Sequence, residues 1–274
     1  MRIKEALAQA RQWLSWVENP QKEAALLLCA YLQEERPWLL LHEEDELEEA
    51  QGYFALVTRR QNHEPLEYIL GYASFYSRDF CVHKGVLVPR PETELLVDEV
   101  LALLKGHDAP RIVEVGVGSG VISVMLALLL PKAQIVATDI SPVALANAQE
   151  NCVRFGVQER VQLVHTAYLD GVSGAFDVLV SNPPYIAQEE LLETHVLCEP
   201  HTALFGGERG DEMLVELIQR ASQATVANIA CEMGYDQRAS MLQTLTHVGA
   251  KGIRFYQDLA GLDRGFSARL KEEE

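Results

Sequence analysis

The sequence of 274 residues is short of basic side chains: 23 Lys and Arg stand against 40 Asp and Glu, a net charge of −17. Proteins that hold nucleic acid gain much of their affinity from Lys and Arg side chains that neutralise phosphates. We therefore expect no stable nucleic-acid binding and no attachment to an anionic membrane. The acidic balance fits a well-solvated surface or a partner of opposite charge, and a solvated surface is the simpler interpretation.

Cysteine is also scarce, and the five cysteines form no C-x-x-C pair. Their odd number and wide spacing indicate small buried side chains in a reducing compartment rather than disulfides. His195, Cys198 and His201 follow one another at intervals of three, a spacing that could suit a metal ion. Pro200 interrupts any helix that would align them, so we predict no metal site.

Long apolar runs are absent. The longest, residues 121–130, is roughly half of a membrane span and ends at Pro131. The first 20 residues, MRIKEALAQARQWLSWVENP, interleave apolar residues with charges, whereas a signal peptide needs a continuous apolar stretch. We therefore expect a soluble cytoplasmic protein, long enough for one large domain or two of ordinary size.

Up to residue 70, apolar residues recur at helical spacing, as in Ile3, Leu7 and Leu14, which predicts a small all-α N-terminal domain over residues 1–70. Glycines and prolines then separate short aromatic and β-branched stretches, which predicts a β-hairpin linker over residues 71–90. The aromatic and β-branched stretches of this linker are residues 72–76, 80–82 and 86–88.

The rest of the chain, residues 91–274, alternates β-branched runs with segments of helical period. The predicted strands are residues 112–115, 135–138, 161–164, 176–180 and 226–231, and the predicted helices include residues 95–104, 142–155 and 211–221. Parallel strands need crossover connections, which are usually helices. The alternation therefore predicts an α/β fold with a parallel sheet covered on both faces.

A glycine-rich turn, EVGVGSG at residues 114–120, connects the first of these strands to a helix that starts near Val121. Its G-x-G-x-G spacing differs from the G-x-G-x-x-G of dinucleotide sites. Asp139 ends the next strand, where a carboxylate can accept hydrogen bonds from both hydroxyls of a ribose. The glycine-rich turn and Asp139 together favour a nucleoside-binding site over a plain turn in which Asp139 or Ser141 caps a helix. Glu114, just before the glycines, favours a cationic or zwitterionic ligand over a phosphate.

A second motif, SNPPY at residues 181–185, follows the strand at 176–180 and would face the glycine-rich turn across the same crevice. Two prolines stiffen this turn. It can therefore aim the Asn182 side-chain oxygen and a nearby backbone carbonyl at one point, which suits an NH₂ group attached to a planar system. Tyr185 would add a flat face beside it. This interpretation is favoured over a plain polar turn.

These motifs in this order resemble an S-adenosylmethionine-dependent methyltransferase that acts on an amino group bonded to a conjugated system. GYASFYSRDFCVHKGVLVPRPETE at residues 71–94 and DLAGLDRGFSAR at residues 258–269 narrow the resemblance to the bacterial peptide chain release factor glutamine methyltransferases. The resemblance implies a Rossmann-like domain with a mostly parallel seven-stranded sheet. It also implies methyl transfer to the glutamine in the Gly-Gly-Gln loop of class 1 peptide chain release factors, with residues 1–70 docking that partner.

The resemblance also implies roles for individual residues. Those that would bind the cofactor are Gly116, Val117, Gly118, Ser119, Gly120, Asp139, Tyr168 and Asn182. Those that would form the catalytic pocket for the glutamine are Asn182, Pro183, Pro184 and Tyr185. Ala167 stands where the family often carries an acid, and Asp170 is the candidate to replace that acid.

Three alternatives stay open. A nucleic-acid amino-methyltransferase would use the same NPPY turn on a flipped base, although the net charge opposes it. A methyltransferase for another ribosomal protein glutamine has a closely similar catalytic unit. A non-catalytic binding module would retain the fold, although Asn182 and Asp139 disfavour it.

Overall fold

The computed structural model describes residues 1–271, which fall into two units. The first unit comprises Met1–Tyr72 together with Leu192–Cys198. The second comprises Ala73–Leu191 and residues 199–271. The sequence-based boundaries at residues 70 and 90 did not anticipate that a segment beyond residue 190 packs with the N-terminal helices. The end of the predicted third domain, residues 272–274, lies outside the described residues.

The first unit is helical, as predicted. It contains α1 (Ile3–Trp13), α2 (Pro20–Leu32), α3 (Arg36–Leu41), α4 (Ala50–Gln61), α5 (Leu66–Leu70) and a 3₁₀ turn at Val196–Cys198. Helix α2 begins where Asn19 accepts the Lys22 N–H at 3.0 Å and Pro20 occupies the first turn. A nearly buried ion pair of 2.5 Å joins Glu23 to Arg60 on α4. Within residues 1–271, no helix is both long and apolar enough to cross a bilayer.

The second unit alternates strands and helices. Its elements are β1 (Tyr72–Phe75, which begins one residue before the unit), β2 (Arg78–Cys81), α6 (Thr93–Leu103), β3 (Arg111–Val115), α7 (Val121–Leu129), β4 (Gln134–Asp139), α8 (Pro142–Arg154), β5 (Val161–His165), β6 (Phe176–Ser181), β7 (Ile186–Ala187), α9 (His201–Leu204), β8 (Phe205–Gly207), α10 (Glu212–Gln223), β9 (Val226–Glu232), α11 (Arg238–His247), β10 (Lys251–Gln257) and β11 (Asp263–Arg269). All of the predicted strands of this domain and its predicted helices are confirmed within a few residues.

Seven strands form one sheet in the order β10-β11-β9-β6-β3-β4-β5. Strands β5, β4, β3, β6 and β9 are mutually parallel, and only β11 runs against its neighbours β9 and β10. Each face of the sheet buries a separate apolar core, so consecutive residues such as Ile112 and Val113 belong to different cores. Helices α6, α7 and α8 cover one face, and α10 and α11 cover the other. The predicted mostly parallel seven-stranded sheet is confirmed.

The hairpin β1–β2 is present, and the β-branched stretch at residues 86–88 is not a strand. The Val88 N–H donates to the buried carboxylate of Glu199 at 2.8 Å. That backbone donor therefore bonds to a distant side chain instead of a neighbouring strand. The hairpin is tied to α8, because the side-chain amides of Asn147 and Asn151 both donate to the Cys81 carbonyl, at 2.8 and 2.9 Å.

Candidate active site

A cavity of about 240 Å³ lies in the second unit where β3, β4 and β6 end. Its lining includes the predicted residues Gly116, Gly118, Asp139, Tyr168, Asn182 and Pro184. A smaller cavity of about 40 Å³ shares Gly116, Gly118 and Asn182 and adds Val117, Ser119, Thr93 and Glu114. The carboxyl ends of parallel strands thus gather both sequence motifs around one space, as expected for an open α/β sheet.

The three glycines of the turn after β3 have different roles. Gly116 and Gly118 have positive φ angles of 78° and 53° and line both cavities. A Cβ atom added to either would meet no protein atom within 4 Å, so backbone conformation and an open space, not crowding, account for them. Gly120 lines neither cavity, and a Cβ there would lie 3.1 Å from the Ala148 Cα. Gly120 also has a positive φ, of 83°, so this position combines a left-handed backbone with the close packing of α7 against α8.

Asp139 is held by backbone donors. Its Oδ2 accepts the Gly118 N–H at 3.0 Å, and its Oδ1 accepts the Ser141 N–H at 2.8 Å. Each oxygen keeps a further acceptor site, so the carboxylate can still bind two hydroxyls. The Ser141 side chain separately caps α8 by accepting the Ala144 N–H at 3.2 Å. Ser141 can therefore cap α8 while Asp139 binds a ligand, so the two roles considered in the sequence analysis are compatible.

Glu114 lies beneath the glycine-rich turn and is 1% exposed. Ser123 donates to its Oε2, while its Oε1 is buried and has no hydrogen-bond partner among the described residues. Burial raises the pKa of Glu114 to about 8. Without a ligand the group is therefore protonated at neutral pH, and a cationic group close to the unpartnered oxygen would favour its ionised form. This observation supports a ligand that carries an ammonium group, as S-adenosylmethionine does.

Tyr168 presents an aromatic side chain to the larger cavity and has a positive φ of 48°. Its hydroxyl donates to Glu216 at 3.1 Å, and the Arg220 guanidinium lies 4.6 Å from its ring centroid. Ala167 also lines the cavity. Asp170 lines neither cavity and instead pairs with Arg220 at 2.8 Å. The structure therefore does not bring the candidate replacement acid into the site.

The NPPY residues separate into two groups. Asn182 lines both cavities and donates its Nδ2–H to the Thr93 hydroxyl at 3.0 Å, and Pro184 lines the larger cavity. Pro183 is buried and lines neither cavity. Tyr185 also lines neither, and its hydroxyl donates to Glu232 Oε1 at 3.1 Å. Burial raises the pKa of Tyr185 well above its ordinary value, so the hydroxyl keeps its proton.

Sequence reasoning missed Thr93 and Glu232. The Thr93 hydroxyl donates to Glu232 Oε2 at 2.7 Å, and Glu232 is 1% exposed. Burial raises the pKa of Glu232 to about 7. Two signals were available: Thr93 lies inside the PRPETE stretch, and Glu232 ends a buried strand at the ligand-binding edge of the sheet.

Two family models and several curated proteins match this chain. The PrmC N-terminal domain matches residues 5–71, and the methyltransferase small domain matches residues 91–204. The release factor glutamine methyltransferase of Moorella thermoacetica is 38% identical over 283 residues and covers 100% of both chains. The bifunctional methyltransferase of Rickettsia typhi is 35% identical over 290 residues, and that match spans 96% of this chain and 56% of the relative.

A solved structure with the same fold is the hMettl16 catalytic domain in complex with MAT2A 3′UTR hairpin 6. It has a TM-score of 0.59 and 16% identity, and the match covers 71% of this chain and 76% of that one. Fold and site together define a Rossmann-like methyltransferase. With relatives this similar over the whole chain, the protein belongs to the release factor glutamine methyltransferase family.

Proposed function

We propose that this protein transfers a methyl group from S-adenosylmethionine to the side-chain amide nitrogen of a glutamine in a class 1 peptide chain release factor. The observation that carries the proposal is the placement of Asn182 between two cavities, with its amide NH₂ bonded to Thr93. Its Oδ1 is then the atom left to accept a hydrogen bond from a substrate. An acceptor is what a primary amide presenting its own NH₂ group requires.

S-adenosylmethionine, when bound, supplies an electrophilic methyl group on its sulfonium. In our proposal Asp139 accepts hydrogen bonds from the ribose hydroxyls, and Tyr168 lies beside the adenine. Gly116, Val117, Gly118 and Ser119 border the methionine part. The unpartnered Oε1 of Glu114 faces the positive charge of that part.

The substrate half of the proposed site addresses a chemical difficulty. A primary amide nitrogen is a poor nucleophile, because its lone pair is delocalised into the carbonyl. Acceptance of its two hydrogens by the Asn182 Oδ1 and a backbone carbonyl of the NPPY turn would orient the nitrogen toward the methyl group. Such orientation contributes several kcal/mol, up to roughly 7 to 11 kcal/mol for ideal alignment. No strong base is needed beforehand, because the amide becomes strongly acidic as it is alkylated.

The proposed partner also fits the charge of the protein. Residues 1–70 hold 7 Lys and Arg against 13 Asp and Glu. We assign the docking of the release factor to this helical region, since the second unit contains both motifs of the site. A partner whose surface otherwise meets ribosomal RNA would be basic, and complementary charge would speed its association. The proposal therefore also includes a cytoplasmic location, no stable nucleic-acid binding, and partner binding that weakens as salt rises.

The direct test measures transfer of labelled methyl groups from S-adenosylmethionine to a purified release factor. Matched reactions contain the same factor with its loop glutamine changed to alanine, and DNA or RNA in place of the factor. We expect label only on the factor with the intact loop. Label on the nucleic acid would replace the proposal with base methylation, and cofactor binding without any transfer would contradict it.

A further inference from the structure

The hydrogen bonds behind Asn182 form a chain whose direction can be deduced. Tyr185 donates to Oε1 of Glu232, and while the carboxylate is ionised its Oε2 is an acceptor as well. The nearest donor to Oε2 is the Thr93 hydroxyl at 2.7 Å. A hydroxyl has only one hydrogen, and Thr93 therefore meets the Asn182 amide, 3.0 Å away, as an acceptor.

That direction decides how the Asn182 amide faces. A side-chain amide has a donor end and an acceptor end of nearly the same shape, and packing alone distinguishes them poorly. Since Thr93 accepts, the NH₂ end of Asn182 must face Thr93 and the oxygen must face away. If Thr93 donated instead, the amide would turn over and present NH₂ to the substrate, where it would repel the NH₂ of a glutamine.

We propose that Glu232 and Thr93 are positioning residues that hold the Asn182 amide with its oxygen toward the substrate, and that Tyr185 secures Glu232 in that role. This inference rests on the proposed function. It assigns the tyrosine of NPPY to the support of the site, in agreement with its absence from both cavity linings. It also makes these hydrogen bonds a determinant of specificity, because an Asn182 NH₂ group turned toward the substrate would favour a substrate carboxylate over a substrate amide.

The burial of Thr93 and Glu232 keeps water from competing for their hydrogen bonds. Thr93 is 2% exposed and Glu232 is 1% exposed, so water offers few competing partners. The residues that bear on the Glu232 carboxylate electrostatically, besides Thr93 and Tyr185, are Glu92 and Arg264. Arg264 is itself paired with Asp258 at 2.8 Å. Thr93 is therefore the only described donor besides Tyr185 that bonds to this carboxylate.

The test compares Thr93→Val, which keeps the shape and removes the hydroxyl, with Thr93→Ser, which keeps the hydroxyl. We expect Thr93→Val to lower kcat for the release factor by about 10-fold to 100-fold, while the Kd for S-adenosylmethionine changes by less than about threefold. Thr93→Ser should stay within about threefold of the wild type, because the chain of hydrogen bonds persists. Glu232→Gln should resemble Thr93→Val.

A second measurement distinguishes a loss of Asn182 orientation from a general loss of activity. Binding is measured for two release factors that carry either the natural loop glutamine or a glutamate in its place. We expect the wild type to prefer glutamine, and Thr93→Val to lose that preference by about tenfold, because the amide of Asn182 is then free to turn over. Thr93→Ser should keep the preference.

A matched control is Glu99→Gln. Glu99 is another nearly buried carboxylate that accepts a hydroxyl hydrogen bond, from Ser267 at 2.6 Å, and it lines neither cavity. We expect Glu99→Gln to leave kcat and the loop preference unchanged. Equal losses in Thr93→Val, Thr93→Ser and Glu99→Gln would reduce Thr93 to a packing role and overturn the inference. Wild-type transfer with no loss in Thr93→Val would also overturn it, whereas absence of transfer by the wild type would contradict the proposed function itself.

Discussion

The two halves of the candidate site are built in different ways. The half around the glycine-rich turn and Asp139 is held by backbone groups: Asp139 accepts from the N–H groups of Gly118, 21 residues away, and Ser141, two residues away. The half around Asn182 is held by side chains from distant parts of the chain, with Thr93 89 residues away and Glu232 139 residues from Thr93. A backbone-built site tolerates loss of neighbouring side chains, whereas a side-chain-built site fails when one member is removed.

The largest effect is expected from Asn182→Ala, which breaks the side-chain-built half. Methyl transfer should fall by at least about 100-fold, or about 2.7 kcal/mol, because the variant loses the acceptor that orients the substrate. Cofactor affinity should change little, since the backbone-built half remains. Single-turnover transfer and calorimetric cofactor binding measure the two quantities.

Asn228→Ala is the control for Asn182→Ala, because the Asn228 amide donates to the Asp177 carbonyl at 2.9 Å, and neither residue lines a cavity. It should transfer methyl groups at the wild-type rate. A near-normal rate in Asn182→Ala would remove this residue from the mechanism.

Asp139→Ala should have the next largest effect, and on the opposite quantity. The Kd for S-adenosylmethionine should rise by about 30-fold, or about 2 kcal/mol, because hydrogen bonds to a charged acceptor are lost. At saturating cofactor, kcat should stay within a few-fold of the wild type. Asp139→Asn, which keeps one acceptor oxygen, should lose less, and calorimetry compares the two. An unchanged Kd in Asp139→Ala would show that the ribose is not held here.

Glu114→Gln is expected to change the pH dependence of stability. The folded protein holds a proton on Glu114 up to about pH 8, whereas the unfolded chain releases it near 4.5. Raising the pH between these values therefore favours the unfolded chain and lowers the free energy of unfolding. Without an ionisable group at this position, the variant should lose less stability between pH 5 and 8, by on the order of 3 to 4 kcal/mol. Urea unfolding at several pH values measures the difference, and parallel curves would contradict the assignment.

The smallest effect is expected from Ser141→Ala, which separates the role of the Ser141 side chain from that of its backbone N–H. The variant loses the N-cap of α8 and should be destabilised by about 1 kcal/mol. The backbone N–H that Asp139 accepts is still present, so cofactor affinity should stay the same. Denaturant unfolding and calorimetry test both statements. A cofactor Kd that weakens as in Asp139→Ala would show that the Ser141 side chain takes part in binding.

Much of the fold followed from local pattern. The predicted strands of the sheet and the helices between them carry strong periodicity, and the structure confirms them. The stretch 86–88 has the same β-branched composition without being a strand, because composition does not show whether a backbone pairs with a strand or, as at Val88, with the carboxylate of Glu199. The packing of Leu192–Cys198 with the helical unit was not predictable, since the pairing of distant segments leaves no local signal.

The candidate site, like the fold, was predictable from the sequence only in part. Every residue predicted to bind the cofactor lines one of the two cavities except Gly120, which packs against Ala148. Of the NPPY residues, Asn182 and Pro184 line the cavities, whereas Pro183 and Tyr185 do not. Their roles stay predictions until the variants are measured. Motif spacing predicted which segments meet, but the direction of each side chain depends on partners elsewhere in the chain.

The alternation of strands and helices, the glycine-rich turn and the stiff turn at Asn182 follow from the sequence alone, because each depends on neighbours a few residues apart. Which buried groups lie behind Asn182 depends instead on how distant elements pack together. Glu232 and Thr93 become partners because β9 and α6 pack together, and the direction of their hydrogen bonds follows from a shortage of donors in a buried space. The motifs of this site are thus local features of the sequence, and the orientation of their side chains depends on tertiary packing.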